Sequence, residues 1–386
     1  MSISISSLKK QLEKEDSDNK LKSERQRLLL FDEFKGSLKY RDINQEKIID
    51  SPLDKFLVTG PAGSGKTIIC NLRVLQLEEK SSSYILIIYT KALKKYLEGK
   101  LLNCDLHDIE HKIFYADEFK DKKNKVKVIE EIKSIGVDYI LIDEVQDLSI
   151  NEINSFTQIA KKGYFLFGDK SQQVYPKRTG SINIIDEIKR THNIINYNLT
   201  RTFRVPSKIA ELAECIDKYE TNISKDCYFK SDEMPKVIQF NNFDEEMRYI
   251  IDVITNENWE NVGILLKTNE EVYNAAMCLN NMSNKLNLNI QFEQKSDNYK
   301  PGIDNLDFSS SNPKVMTYHS VKGLEFDRVF IPYCRYDEDY KKHNFQEAFF
   351  VAMTRAKETL IISYSQGNRS QFIDKFDQDK YLFEIK

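Results

Sequence analysis

The eight residues GPAGSGKT, Gly60 to Thr67, constrain this chain more than any others. They follow a short apolar run, FLVTG (Phe56 to Gly60), and precede a helix-patterned stretch, TIICNLRVLQLEEK. An apolar strand that stops at glycine, a glycine-rich turn and a helix together specify a strand–loop–helix unit, the opening of a parallel α/β sheet. Average residue usage gives GxxxxGK followed by Ser or Thr by chance in about one percent of chains this long. YILIIY (Tyr84 to Tyr89), YILID (Tyr139 to Asp143) and YFLFGD (Tyr164 to Asp169) repeat the theme. Strands covered on both faces read as continuous apolar runs, and ligands of such sheets collect at the strands' carboxyl ends. The polar residues of interest fall at those ends.

A second set of apolar runs follows: KVIQF (Lys236 to Phe240), VGILLK (Val262 to Lys267), KVMTYH (Lys314 to His319), DRVFIP (Asp327 to Pro332) and TLIISY (Thr359 to Tyr364). Helix-patterned segments, among them PSKIAELAECIDKY and NFQEAFFVAMTRAKE, separate them. The expectation is a second α/β domain, with the boundary near 198/199: an extension over 1–38, a first domain over 39–198 and a second over 199–386. The extension reads as charged helix, with Leu28 to Phe31 as an apolar patch. The polar, turn-rich stretch from Asn280 to Lys314 reads as a surface insertion.

Composition supports a chain of two or three domains: 386 residues, 40% hydrophobic and 30% charged. It excludes collagen-like and wholly disordered readings. The net charge is -3, so a nucleic-acid partner requires a local basic surface. Cys70, Cys104, Cys215, Cys227, Cys278 and Cys334 are irregularly spaced and form no CxxC pair, the pattern of reduced thiols in a cytosolic protein. The N-terminus has no signal-peptide core, and the longest apolar run is too short to span a bilayer. The expectation is a cytoplasmic protein with no membrane partner.

The glycine-rich loop has a direct physical use. Gly60, Gly63 and Gly65 let the backbone N–H groups of this loop, whose other candidate cofactor-binding positions are Pro61, Ala62 and Ser64, curl around phosphate oxygens, and the following helix N-terminus adds positive potential. Lys66 then reaches the β/γ-phosphates, and the Thr67 hydroxyl ligates Mg²⁺. Asp143 and Glu144 end an apolar strand, where two acids are costly to bury without a metal or a proton-transfer role. Asp143 completes the Mg²⁺ shell with Thr67, and Glu144 orients or deprotonates the attacking water.

These and the following segments, in order from about Asp42 to Tyr364, resemble superfamily 1 helicases of the UvrD/Rep type. DINQ resembles the adenine-reading motif, with Gln45 in the Gln position; YTKALKKYL (Tyr89 to Leu97) resembles a motif that touches single-stranded DNA. LFGDKSQQVYP resembles GDxxQxIY, which implies that Gln172 senses the γ-phosphate. LTRTFRVP and FVAMTRAKETL resemble the segments whose arginines, here Arg204 and Arg355, contact the γ-phosphate from the second domain. VMTYHSVKGLEFDRVF resembles TxHxxKGLEFD, which implies Glu325 at the ribose and Thr317 and His319 near DNA. The resemblance implies two RecA-like P-loop NTPase domains with ATP in the cleft between them. It also implies DNA contacts from Tyr89, Lys91, Tyr175, Lys177, Thr317 and His319.

The chain departs from the family pattern in two ways. Only residues 98–142 separate the Tyr89–Leu97 motif from Asp143, and little more than Asn280 to Lys314 can host an insertion in the second domain. Relatives use larger insertions to grip and split duplex. Lys177 also stands where relatives offer an indole for base stacking, and Trp259, the single tryptophan, lies outside every motif. Lys177 can still hold a phosphate.

Three further features have bland and functional readings. Cys104, His107 and His111 align on a helix, where they form either a zinc site completed by Asp108 or a distant residue, or a surface helix with a buried thiol. The run FKDKKNKVK (Phe119 to Lys127) is a solvated face or a DNA or partner contact. Lys91, Lys94, Lys95 and Lys100 are candidate phosphate contacts.

The leading expectation is a compact ATP-dependent motor that hydrolyses ATP with Mg²⁺ and moves 3′ to 5′ on single-stranded DNA. The alternative is an ATP-hydrolysing switch subunit that controls a partner effector or nuclease in a repair or phage-defence complex, without unwinding.

Overall fold

The computed structural model describes residues 43–102, 111–115, 128–130, 132–134, 136–169, 183–217, 222–283, 289–295, 301–302, 306–336 and 345–386. The expected N-terminal helical extension over 1–38 lies outside them, as does the basic run from Phe119 to Lys127. In chain order the first half comprises α1 (Ile43–Ile49), β1 (Phe56–Thr59), α2 (Lys66–Glu79), β2 (Tyr84–Ile88), α3 (Lys91–Leu102) and β3 (Ile113–Tyr115). It continues with β4 (Tyr139–Ile142), α4 (Ile150–Thr157), β5 (Gly163–Gly168), α5 (Ile184–Thr191) and β6 (Ile195–Asn198). The second half comprises α6 (Ser207–Glu214), β7 (Lys236–Phe240), α7 (Phe243–Asn256), β8 (Val262–Leu266), α8 (Asn269–Ser283) and β9 (Gln291–Phe292). A hairpin, β10 (Gln294–Lys295) and β11 (Pro301–Gly302), precedes β12 (Lys314–Thr317), β13 (Phe326–Ile331), α9 (Phe345–Met353), β14 (Ala356–Ser365) and β15 (Leu382–Ile385).

Two parallel sheets result, with strand orders β3-β2-β4-β5-β1-β6 and β15-β7-β14-β13-β8-β12-β9. The chain therefore folds as two parallel-sheet α/β domains of the RecA-like type. The central strands of the first sheet, β1, β2, β4 and β5, are buried along their whole length, as helices on both faces require. In register, Phe56 lies beside Phe165, and their rings stack at 4.5 Å. Arg73 of α2 is buried over both rings and donates to the carbonyls of Ile48 and Ser51, which pins α1 to α2. One apolar cluster runs from Leu93 and Leu97 of α3 into Val321 and Leu324 of the second half, so the core continues across the two sheets.

Several elements differ from the sequence expectation. The stretch from Asn280 to Lys314 is not wholly a surface insertion: Gln291 and Phe292 pair in parallel with Lys314 and Val315, and Glu293 is buried. The helix that carries FVAM ends at Met353, and β14 begins three residues later, before the expected Thr359. Strands β3, β6 and β15 add edges to the sheets. Among the described residues, no helix is long and apolar enough to cross a membrane.

Candidate active site between the two sheets

The glycine-rich loop leaves β1 at Gly60, whose amide donates to the Gly168 carbonyl of β5 (3.3 Å). Gly63 (φ 73°) and Gly65 (φ 90°) take left-handed conformations that only glycine adopts without strain, and they turn the chain into α2. A Cβ on Gly63 would stand 2.6 Å from the Cβ of Arg204 and 2.6 Å from the Thr202 hydroxyl. The loop tip thus packs directly on a segment of the second half, and the Phe203 amide donates to the Gly63 carbonyl (2.9 Å). Lys66 donates to the carbonyls of Gly60 (2.7 Å) and Pro61 (3.0 Å) and lies 3.9 Å from Asp169. Gln45 of α1 is buried and donates to the Ser64 carbonyl (2.8 Å).

The acidic strand end meets this loop. Thr67 donates its hydroxyl hydrogen to Asp143 Oδ2 (2.8 Å), and the Glu144 amide donates to Asp143 Oδ1 (3.0 Å). Burial, with the neighbouring Glu144 charge, pushes the Asp143 carboxyl up to about 6. Burial also acts to raise Glu144, but Lys322 and Lys66 outweigh it and hold Glu144 below the usual carboxylate range. Glu144 itself has φ 56°, a strained setting for a residue with a Cβ, which aims its side chain into the cleft. Gln146 donates to Glu144 Oε2 (2.6 Å) and accepts from the Asp169 amide (3.0 Å). Sequence reasoning missed Gln146, although it stands inside DEVQD two residues after Glu144.

The second half supplies cations. Arg204 lies 3.7 Å from Glu325, which also faces Lys357 at 3.9 Å. Arg355 is buried and donates to the carbonyls of Val351 (2.9 Å) and Leu324 (3.4 Å). Burial and the nearby Arg204 charge pull its pKa down to about 9. Lys322, which sequence reasoning also missed, is 1% exposed. It pairs with Asp147, lies 3.8 Å from Glu144 and sits over the Tyr89 ring. Its segment is fixed by the Thr90 hydroxyl donating to the Lys322 carbonyl (3.4 Å) and by Gly323 packed on Leu93.

These groups surround a cavity of about 780 Å³. Gln45, Ala62, Gly63, Gly65, Lys66, Thr67, Glu144, Arg204, Glu325 and Arg355 line it, all from the expected set. Asp143 joins the site through its hydrogen bond with Thr67, and Gly60, Pro61 and Ser64 of the loop are not part of the lining. Phe203 also lines the cavity, and the Tyr228 ring lies 5.4 Å from its own. It was missed, yet it directly precedes Arg204 in LTRTFRVP.

The expected DNA contacts are more scattered. Tyr89 is 5% exposed, its ring under Lys322. Lys91 opens α3. Thr317 is buried, its hydroxyl bonded to Ser320 (2.8 Å) and to the buried Glu293 (3.4 Å). His319 lies edge-on to Phe345 at 6.2 Å. Gln172, Tyr175 and Lys177 lie outside the described residues, as do Cys104, His107 and Asp108. Among the described residues no cluster of three or more His, Cys, Asp or Glu could hold a metal ion.

Comparison with known proteins gives a consistent picture. A family model described as an AAA domain matches residues 45–178, and one described as the UvrD-like helicase C-terminal domain matches residues 302–367. A protein of Acanthamoeba polyphaga mimivirus named as a putative ATP-dependent DNA helicase is 29% identical over 285 residues, covering 66% of this chain and 39% of that one. A probable DNA helicase of Mycoplasma pneumoniae is 22% identical over 244 residues, covering 59% and 43%. The chain thus spans about two fifths of the length of these relatives. The solved C-terminal domain of a possible DNA helicase from Lactobacillus plantarum aligns with 16% identity and a TM-score of 0.36, over 47% of this chain and 98% of that one. The two matched regions meet at one cleft, and the C-terminal match and the helicase relatives make the chain similar to UvrD-like superfamily 1 helicases.

Proposed function

We propose that the chain is an ATP-dependent motor that hydrolyses ATP in the cleft and moves along single-stranded DNA in the 3′ to 5′ direction, in the cytoplasm. One observation carries the reading: Lys66, Thr67 and Glu144 of the first half and Arg204 and Arg355 of the second line the same cavity. Its volume, about 780 Å³, falls in the range of small-molecule sites.

Thr67 and Asp143 offer two hard oxygen donors in contact at the foot of the cleft, which suits Mg²⁺. A divalent ion held there would neutralise charge on the phosphates. Lys66 exchanges the Gly60 and Pro61 carbonyls for phosphate oxygens. Glu144, kept ionised by Lys322 and Lys66, orients the attacking water and takes its proton. Arg204 and Arg355 meet the charge that develops on the transferred phosphoryl. Phe203 stacks against the base. Since the arginines and the loop belong to opposite halves, bound nucleotide favours closure and hydrolysis relaxes it. A strand held across both halves is advanced by that cycle.

The short spans at 98–142 and 280–314 favour a second reading, in which the same cycle switches a partner effector or nuclease and duplex is not unwound. Two variants test the shared core. Lys66→Ala is expected to lose ATP binding in calorimetry, and retained tight binding would remove the site assignment. Glu144→Gln is expected to bind ATP without turnover, and phosphate release near the wild-type rate would refute the general-base role.

A further inference from the structure

Glu293 is 4% exposed, yet among the described residues no cation pairs with it. It stands where β9 ends and the β10–β11 hairpin begins, on the edge of the second sheet. Its amide donates to the Val315 carbonyl of β12 (3.0 Å), which fixes its backbone beside that strand. Donors from the turn after β12 meet both carboxylate oxygens. The Ser320 hydroxyl donates to Oε1 (2.6 Å) and the Thr317 amide to Oε2 (3.3 Å). The Thr317 hydroxyl closes the ring, 2.8 Å from the Ser320 hydroxyl and 3.4 Å from Oε2. The Ser320 amide in turn donates to Thr317 Oγ1 (3.2 Å). A buried carboxylate costs free energy that an apolar side chain would not, and these hydrogen bonds offset it only while the turn keeps this shape. Two residues on, the Lys322 ammonium pairs with Asp147 and lies 3.8 Å from Glu144.

We propose that Glu293 is a positioning residue for hydrolysis: it locks the turn from Thr317 to Ser320 and so holds Lys322 against Glu144. This rests on the reading of the cleft as an ATP hydrolysis site with Glu144 as the base, and names a group on the edge strand of the second sheet that sets it. Glu293 does not line the cavity, so its influence passes through Lys322. A reacting group keeps its geometry when the residues that support it are themselves locked by hydrogen bonds and packing. Glu325 has separate support, because Leu324 is in the core and Gly323 packs on Leu93. Loosening the turn therefore acts on turnover rather than on nucleotide binding.

Glu293→Gln keeps the shape of the side chain and sets an NH₂ group against one of the two donors. ATP hydrolysis is measured for wild type, Glu293→Gln, Ser320→Ala and Ser320→Thr, with and without an oligothymidine strand, beside thermal melts. Glu293→Gln is expected to lower kcat roughly 10-fold or more and to leave the KM for ATP within about threefold. Ser320→Ala is expected to lower kcat in the same way, and Ser320→Thr, which keeps the hydroxyl, to restore it. In a Lys322→Met background Glu293→Gln is expected to cost less than about twofold further, because the path to Glu144 is already cut. Hydrogen exchange across 317–322 is expected to quicken in Glu293→Gln while β4 and β5 stay protected. Wild-type hydrolysis with kcat unchanged in Glu293→Gln, a change in KM alone, or losses that multiply in the Lys322→Met background overturns the positioning role and leaves the hydrolysis reading standing. No hydrolysis by the wild-type chain, with or without the strand, overturns both. If Glu293→Gln does not fold, full kcat in Ser320→Ala overturns the role.

Discussion

Replacing Lys322 with methionine keeps the aliphatic stem and deletes the ammonium. The side chain is 1% exposed, and its partners Asp147 and Glu144 are 0% and 6% exposed, so water cannot take the place of the lost charge. At 3.8 Å from Glu144 and an effective dielectric of about 20, the attraction is about 4 kcal/mol. Removing one partner of a buried pair typically costs about 3–5 kcal/mol, because the other charge stays buried. Lys322 lies between β12 and β13, whereas Asp147 and Glu144 follow β4, so the loss falls on the contact between the two halves. The assay is a double-mutant cycle of Lys322→Met with Asp147→Asn, read by denaturant unfolding. The single variant is expected to lose about 3–5 kcal/mol, and the double to recover at least about 2 kcal/mol of it. A second readout follows from Glu144. After burial, which raises it, Lys322 is the strongest influence on this carboxyl and lowers it. Without Lys322 the Glu144 pKa rises, so the acid limb of the hydrolysis profile moves to higher pH. A stability change within about 0.5 kcal/mol, strict additivity and an unmoved limb would refute the reasoning.

Three other outcomes are expected. Gly63→Ala forces a Cβ into a left-handed backbone against Arg204 and Thr202, and is expected to raise the KM for ATP about tenfold or more; an unchanged KM would show that the loop tip relaxes freely. Phe203→Ala is expected to weaken ATP by about 1–3 kcal/mol while binding of inorganic triphosphate, which has no base, stays the same; equal losses for both would exclude stacking. Glu246 of α7 is fully buried, accepts from the Tyr333 amide (3.0 Å), and is pushed by burial up to about 7. Its raised folded-state pKa favours the fold at low pH and loses that contribution as pH rises through about 7. Wild type is therefore expected to melt at lower temperature at pH 8 than at pH 6, with roughly 1 kcal/mol at stake over that interval, and Glu246→Gln to flatten the difference; an equal slope in both proteins would refute it.

Local pattern carried much of the site. The Gly60–Thr67 loop, Asp143 and Glu144 follow apolar strands, and their places at strand ends could be read from the order of residues alone. The edge strands could not. Ile-Asn-Tyr-Asn in β6 is mostly exposed, and it becomes a strand only because β1 offers a parallel edge to pair with. Gln291 and Phe292 lie in a polar stretch, and their pairing with β12 depends on residues more than twenty positions away. Lys322 shows the same limit. A lysine in a motif gives no local sign of burial, and its partners Asp147 and Glu144 come from a distant strand end. Glu293 reads as one more acid in a turn-rich region, yet it accepts hydrogen bonds from Thr317 and Ser320 and sets the start of the segment that bears His319 and Lys322.

The central claim is that nucleotide turnover in the cleft answers to a DNA strand. ATP hydrolysis by the purified chain, with and without single-stranded DNA and with Glu144→Gln as the blank, tests it most directly. The account predicts hydrolysis that depends on Glu144 and rises strongly with added strand. Hydrolysis indifferent to DNA would contradict the motor and favour the partner-controlled switch.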